Sequence, residues 1–229
     1  MSCNCKTIVI KEPTVNKIKY PKAMVILGNG HGSNTAGKRS PDGKLLEYKY
    51  TREIVKLIVP KLEKMGIPYY ILVPEEWDVS LQERVRRVNN LNTQNKAKGI
   101  TTFYISVHVN ANSNGQWQPA NYWTAWTSVG QTQGDKLADS LYKAAHEVLD
   151  PLKMRIGEQS YNDGDPDYES NFYVLKYTNP AATLTENFFM DNKDNVEFLL
   201  SDEGKDAIAE LHARGCEYYI KDILKMKPE

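Results

Sequence analysis

Two histidines and two glutamates stand where one sheet edge could gather them. The chain has only four histidines, and two of these, His31 and His108, directly follow apolar or β-branched runs near residues 23–27 and 101–107. Such short runs read as buried strands. In open α/β sheets, ligands bind beyond the carboxyl ends of the strands. Glu47 falls in the first turn of the helix expected after the His31 loop, and Glu186 follows a short strand expected over residues 181–185. A catalytic zinc typically takes three protein ligands, with two His and one Glu among the common sets, and leaves a position for water. The metal lowers the pKa of that water to about 7, and a nearby carboxylate can take the proton. The pattern therefore suits metal-assisted hydrolysis. Each residue also has a plainer reading. A histidine after a strand is often a hydrogen-bonded loop residue. Glu47 can be a first-turn acid favoured by the helix dipole, and Glu186 a buried ion-pair partner.

The elements that must position these residues follow from the pattern of apolar spacing. Gly28, Gly30 and Gly32 punctuate a loop that continues through residues 33–43. Leu46, Tyr50, Ile54, Leu57, Ile58, Leu62 and Met65 recur at helical spacing over residues 44–65, and Gly66 closes the run. Pro60 inside it predicts a kink or a break. Residues 69–73 read as a strand. Ser80 and Glu83 have capping-box spacing at the start of a helix that runs to about residue 95. A helix over residues 134–149 precedes a polar loop over residues 158–170. Short strands over residues 172–175 and 181–185 and helices over residues 194–200 and 203–226 complete the chain. Strands alternating with helices define an α/β fold: a single domain, an open twisted and mostly parallel sheet with helices on both faces. Residues 1–20 read as an N-terminal arm and 21–229 as the catalytic domain.

Composition narrows the function classes. The length of 229 residues suits one domain with a large core. Lys+Arg and Asp+Glu are equal at 29 each, so bulk charge draws the chain to neither nucleic acid nor an anionic membrane. The three cysteines, Cys3, Cys5 and Cys216, are too few for a disulfide framework and suit a reducing compartment. Cys3 and Cys5 read as part of a flexible arm. The N-terminus lacks the apolar stretch of a secretory signal.

Segment 25–32, VILGNGHG, resembles the opening V-x-L-D-P-G-H-G signature of the zinc-dependent type-3 N-acetylmuramoyl-L-alanine amidases. Leu46-Glu47 resembles the start of that family's ligand-bearing helix. Leu81 to Arg84 with Asn89 resembles its L-x-x-R…N segment. Residues 104–111, YISVHVNA, match S-x-H-x-N-A. Val174-Leu175, AATLTEN over 181–187 and Asp191-Asn192 resemble the family's closing motif, and Tyr218-Tyr219-Ile220 its last helix. The likeness spans residues 22–220. It departs at Gly28-Asn29 for Asp-Pro, at Val73-Pro74 for Thr-Arg, and at Asn187 for Gly.

The resemblance implies one zinc per chain, held by His31, Glu47 and His108, with Glu186 as general base and acid. It implies hydrolysis of the amide between the lactyl group of muramic acid and L-alanine in bacterial peptidoglycan. Without an export signal or a wall-binding module, the expectation is a phage or prophage lysin, cytoplasmic until release to the wall, with no stable membrane association. The alternatives are an inactive peptidoglycan-binding module, a zinc peptidase cutting the stem peptide, and a phosphate-binding loop at Gly28-x-Gly30-x-Gly32.

Lesser features complete the expectations. Asn110 is a candidate substrate-contacting or supporting residue. Arg84 is expected to be structural, and His146 and His212 surface or core histidines. The aromatic stretch with Trp117, Tyr122, Trp123 and Trp126 reads as core before sugar platform. Asp163, Asp165 and Asp167 alternate as in a calcium loop. Tyr168 and Val174 stand where an EF-hand needs Gly and Glu, so a solvated loop is expected.

Overall fold

The computed structural model describes residues 18–112, 115–159 and 164–229. Six strands form one sheet: β1 (Ala23–Asn29), β2 (Tyr69–Ile71), β3 (Thr101–Asn110), β4 (Thr124–Thr127), β5 (Tyr168–Glu169) and β6 (Ala181–Phe189). Their order is β2-β1-β3-β6-β4-β5. The four strands β2, β1, β3 and β6 run parallel. β4 pairs antiparallel with β6, and β5 runs parallel to β4. The helices are α1 (Glu47–Met65), α2 (Leu81–Ala97), α3 (Gln133–Leu149), α4 (Tyr173–Lys176), α5 (Lys193–Leu200) and α6 (Asp202–Tyr218), the last continuing into a π-helical turn, Tyr219–Ile223.

Both sheet faces are covered, and period-two alternation assigns each residue to its side. Val25, Leu27, Phe103, Ile105 and Val107 pack with Ile54 and Ile58 of α1, Leu141 of α3 and Ile208 and Leu211 of α6. Ile26, Tyr104 and Leu184 face the other way, against Val85 and Val88 of α2 and Val174 and Leu175 of α4. Each fully buried aliphatic side chain contributes about 1.5–3 kcal/mol. The expected α/β fold with a mostly parallel sheet is therefore the observed one.

Several local expectations are corrected. Residues 172–175 form no strand: Phe172 caps α4 instead. The polar loop over 158–170 contains β5, and β4 was not foreseen. Asp167 is buried rather than solvated, with the Thr127 hydroxyl 2.5 Å from its Oδ2. Asp163, Cys3 and Cys5 lie outside the described residues. α1 passes Pro60 without a break. Pro60 is exposed, so water can satisfy the carbonyl freed four residues earlier. Ser80 caps α2 through the Glu83 N–H, while the Glu83 carboxylate pairs with Arg86 and Arg87. Of the expected arm, Lys19 and Tyr20 bond to the Gly66 carbonyl, and Tyr20 is buried.

The two remaining histidines take structural places. His146 is on the surface between Asp150 and Glu158. His212 is fully buried, its Nδ1 2.7 Å from the Ile208 carbonyl and its Nε2 2.9 Å from the Thr185 hydroxyl. Burial lowers its pKa from 6.5 to about 4. A group with a depressed folded-state pKa stabilises fully above its unfolded value, and the contribution disappears as pH falls through the folded one. Acidification from about pH 6.5 to 4 is therefore expected to remove up to about 3 kcal/mol through His212. Urea unfolding at pH 7.5 and 5 would measure it, and the loss should shrink in His212→Gln.

Candidate metal centre and active site

The site lies where β1, β3 and β6 end. β1 delivers the Gly30-His31-Gly32 loop. His31 has a left-handed backbone, φ 55°, which costs an L-residue about 1–2 kcal/mol. Two guanidinium groups hold that conformation through the His31 carbonyl, Arg52 Nη2 at 3.0 Å and Arg84 Nη2 at 3.3 Å. Arg84 also donates to the carbonyls of Asn29 and Val79 and to Asp78. It is structural, as expected, but its task is to seat the first histidine. Gly30 is required by crowding: a Cβ there would stand 2.6 Å from His108 Nδ1.

His108 and Glu186 are register partners on β3 and β6, so their side chains share a face. Both lie inside their strands rather than just past them. Glu47 is the first residue of α1, and its backbone N–H donates to the Lys38 carbonyl at 3.0 Å. Its carboxylate is almost fully buried. Oε1 accepts from the Val109 N–H at 3.1 Å and lies 3.2 Å from His108 Nδ1. Oε2 lies 3.4 Å from His31 Nε2 and has no hydrogen-bond donor among the described residues. The two imidazoles meet edge to face, with centroids 5.2 Å apart.

The donor set fits a metal. One ligand atom from each of His31, Glu47 and His108 can be chosen so that all lie within 4.8 Å of one another. Ligands 2.0–2.2 Å from a tetrahedral zinc are roughly 3.3 Å apart, close to the two His–Glu separations. A buried carboxylate oxygen without a donor is costly and is the natural place for a cation. Burial pulls the His31 pKa down to about 4, so its ring is neutral and its lone pair free. Burial alone would raise the Glu47 pKa, but the hydrogen bond and charge of His108, the charge of His31 and the Val109 N–H together hold it below its ordinary value.

Glu186 lines the same cleft, a space of about 250 Å³ that also meets Lys38, Asp78, Leu81, Ser106, Phe172 and Tyr173. Burial, and then the Glu47 charge, push the Glu186 carboxyl well above its usual range, while Lys38 acts in the opposite direction. A carboxyl held above its ordinary range is a stronger proton acceptor than a free glutamate side chain. Among the described residues its Oε2 has no hydrogen-bond partner.

Three supporting residues were not foreseen. Ser106 Oγ, 3.1 Å from His108 Nε2, orients the second ring, and a place two residues before His108 on the same strand face was the available signal. Asn187 donates to the His108 carbonyl at 2.8 Å and accepts from Trp123 Nε1 at 2.9 Å. Asn29 donates to the Val73 carbonyl at 2.7 Å, so two of the departures from the family pattern contact each other. The Asn110 side-chain oxygen accepts from the Ala111 N–H, a local role in the loop. Trp123 is core, Trp117 is partly buried against the same cluster, and Trp126 is partly buried against the cluster on the other sheet face.

An α/β sheet that presents two histidines and a buried carboxylate, with a second carboxyl beside them, offers the donor set of a metallohydrolase type of site. Residues 25–218 match the N-acetylmuramoyl-L-alanine amidase family, and the chain belongs to that family. It is 30% identical over 212 residues to the endolysin of Bacillus phage SPP1, covering 89% of this chain and 67% of that protein. Identity to the N-acetylmuramoyl-L-alanine amidase LytC of Bacillus subtilis is 24%, over 93% of this chain and 39% of LytC. The fold is that of the N-acetylmuramoyl-L-alanine amidase of Clostridium difficile 630, with a TM-score of 0.71 at 24% identity, covering 88% of this chain and 98% of that one. AmiC2 of Nostoc punctiforme is similar at a TM-score of 0.70 and 24% identity, over 87% and 98% of the two chains.

Proposed function

We propose that this chain is a zinc-dependent amidase of the lysin type that cleaves the bond between the muramic acid lactyl group and L-alanine in bacterial peptidoglycan. The observation that carries this reading is the buried Glu47 carboxylate between two imidazoles, with one oxygen lacking a donor, where both imidazoles line a cleft with Glu186. Family membership and the likeness to a phage endolysin support the substrate.

In this mechanism His31, Glu47 and His108 hold one zinc per chain. Zinc bound there supplies a Lewis acid for the scissile carbonyl and makes a neighbouring water acidic. The chain does the rest. Glu186 takes the water proton as the oxygen attacks the carbonyl carbon. It returns that proton to the L-alanine nitrogen as the C–N bond breaks. Glu186 thus ends as it began, and the products are the lactyl carboxylic acid, which gives its proton to water or to the amine, and the free L-alanine amine. Val109 and Ser106 keep Glu47 and His108 from turning away. Arg52 and Arg84 do the same for His31. The lysin acts at the cell wall. Among the described residues no helix is long and apolar enough to cross a membrane.

Mass analysis of digested purified wall tests the proposal. New N-terminal L-alanine with intact glycan is expected, and a chelator should abolish it. Cleavage inside the stem peptide would indicate a peptidase instead. Binding without new termini would indicate an inactive module.

A further inference from the structure

Large apolar side chains gathered in solvent mark binding surfaces more often than they arise by chance. Five are exposed among the described residues: Ile18, Trp77, Leu81, Val129 and Tyr177. Three of the five are cleft residues or direct neighbours of them. Leu81 lines the cleft, and Trp77 directly precedes Asp78, which also lines it. Tyr177 packs at a tilt against the cleft residue Tyr173, with ring centroids 4.5 Å apart. Trp77 is the most exposed of the five, at 61%.

The backbone beneath Trp77 is tied down. The Asp78 N–H donates to Asn34 at 2.6 Å, and the Ser33 N–H to the Glu76 carbonyl at 2.8 Å. Thr35 and Arg84 hold the two Asp78 carboxylate oxygens at 2.7 and 3.1 Å. Gly32 sits so close to the backbone of Trp77 and Asp78 that no Cβ fits there. The segment is thus pinned to the His31 loop while its indole remains in water. A ring presented from a fixed backbone loses little freedom on binding.

We propose that Trp77, with Leu81, is a saccharide-stacking platform at the cleft rim, which takes a sugar ring of the glycan strand that carries the cleaved amide. The proposal rests on the amidase reading. A pyranose offers a flat face of C–H groups to an indole and leaves its hydroxyls at the edge. The residues around the ring favour sugar over peptide. Glu75, Glu76 and Asp78 flank Trp77. Glu75 and Asp78 are paired with Arg87 and Arg84, which leaves the exposed Glu76 carboxylate to accept bonds from sugar hydroxyls and to repel the carboxylates of an acidic stem peptide.

The test compares wild type, Trp77→Ala and Trp77→Phe as zinc-loaded protein. Peptide-free glycan oligomers released from peptidoglycan are titrated while tryptophan emission is followed. The wild-type emission should shift, and the Trp77→Ala emission should not. On purified wall, Trp77→Ala should raise KM about tenfold with kcat within about twofold, the scale of one aromatic contact at a partly exposed site. Trp77→Phe should recover most of the loss. An unchanged KM and glycan response in Trp77→Ala would overturn the platform. So would a fall confined to kcat, which would mean that the loop serves the catalytic groups. An emission response to free stem peptide in place of glycan would overturn it too. The glycan titration reads binding without hydrolysis, so a failed amidase reading shows separately, as absent cleavage by the wild type.

Discussion

Glu186→Gln is expected to lower turnover by roughly 10²–10⁴-fold, the usual weight of a general base, while zinc stays bound. Glutamine keeps the shape of the side chain and removes its capacity to accept and return a proton. Glu186 lines the cleft, and its Oε2 is buried without a hydrogen-bond partner among the described residues. The neutral amide therefore forfeits little existing bonding, and the fold should hold. KM should change much less than kcat, because the group is assigned to the chemistry and not to binding. Metal content by elemental analysis, beside initial rates of wall solubilisation, separates the roles of the two glutamates. Retained activity in Glu186→Gln would sink the proton assignment. Metal loss in Glu186→Gln, with metal kept in Glu47→Gln, would mean that the roles are exchanged.

The residues at this site were legible in the sequence because each sits beside a strong local signal. His31 and His108 follow the two most apolar runs, and those runs became the central strands β1 and β3. Glu47 opens a helix with clear 3.6-residue spacing that ends at a left-handed Gly66. What was not legible depends on long-range pairing. The grip of Arg52 and Arg84 on the His31 carbonyl joins residues 21 and 53 positions apart, and no local pattern encodes it. Residues 172–175 illustrate a different limit. Four apolar residues fit a buried strand or one helical turn equally well. The stretch became α4, with Val174 and Leu175 packed on the sheet. β4 was hidden for a related reason. It is only four residues long, inside an aromatic stretch without clear alternation, and its pairing with β6 decides it. Asp167 looked solvated in a polar loop, yet β5 carries the loop inward against Thr127.

His31→Ala and His108→Ala are each expected to release zinc and abolish hydrolysis, and chelation of the wild type should do the same. Three donors set the affinity of such a site, and loss of one leaves a pair that holds a dication poorly. The variants should not behave identically. His31 is held by its own backbone carbonyl, so removal of its ring leaves the Arg52 and Arg84 contacts in place. That variant should fold, and its unfolding should be close to that of metal-free wild type. His108 lies within β3, with Ser106 on one ring nitrogen and Glu47 on the other. Its removal strips a neighbour from the buried Glu47 carboxylate, whose remaining hydrogen bond comes from Val109. A buried charge left short of partners costs several kcal/mol, so His108→Ala should be the less stable of the two without metal. Competition with a chromophoric chelator measures the zinc affinity, and urea unfolding of the metal-free proteins measures the difference. Full zinc retention in both variants would refute the ligand assignment. Equal metal-free stability of the two would refute the account of how Glu47 is held.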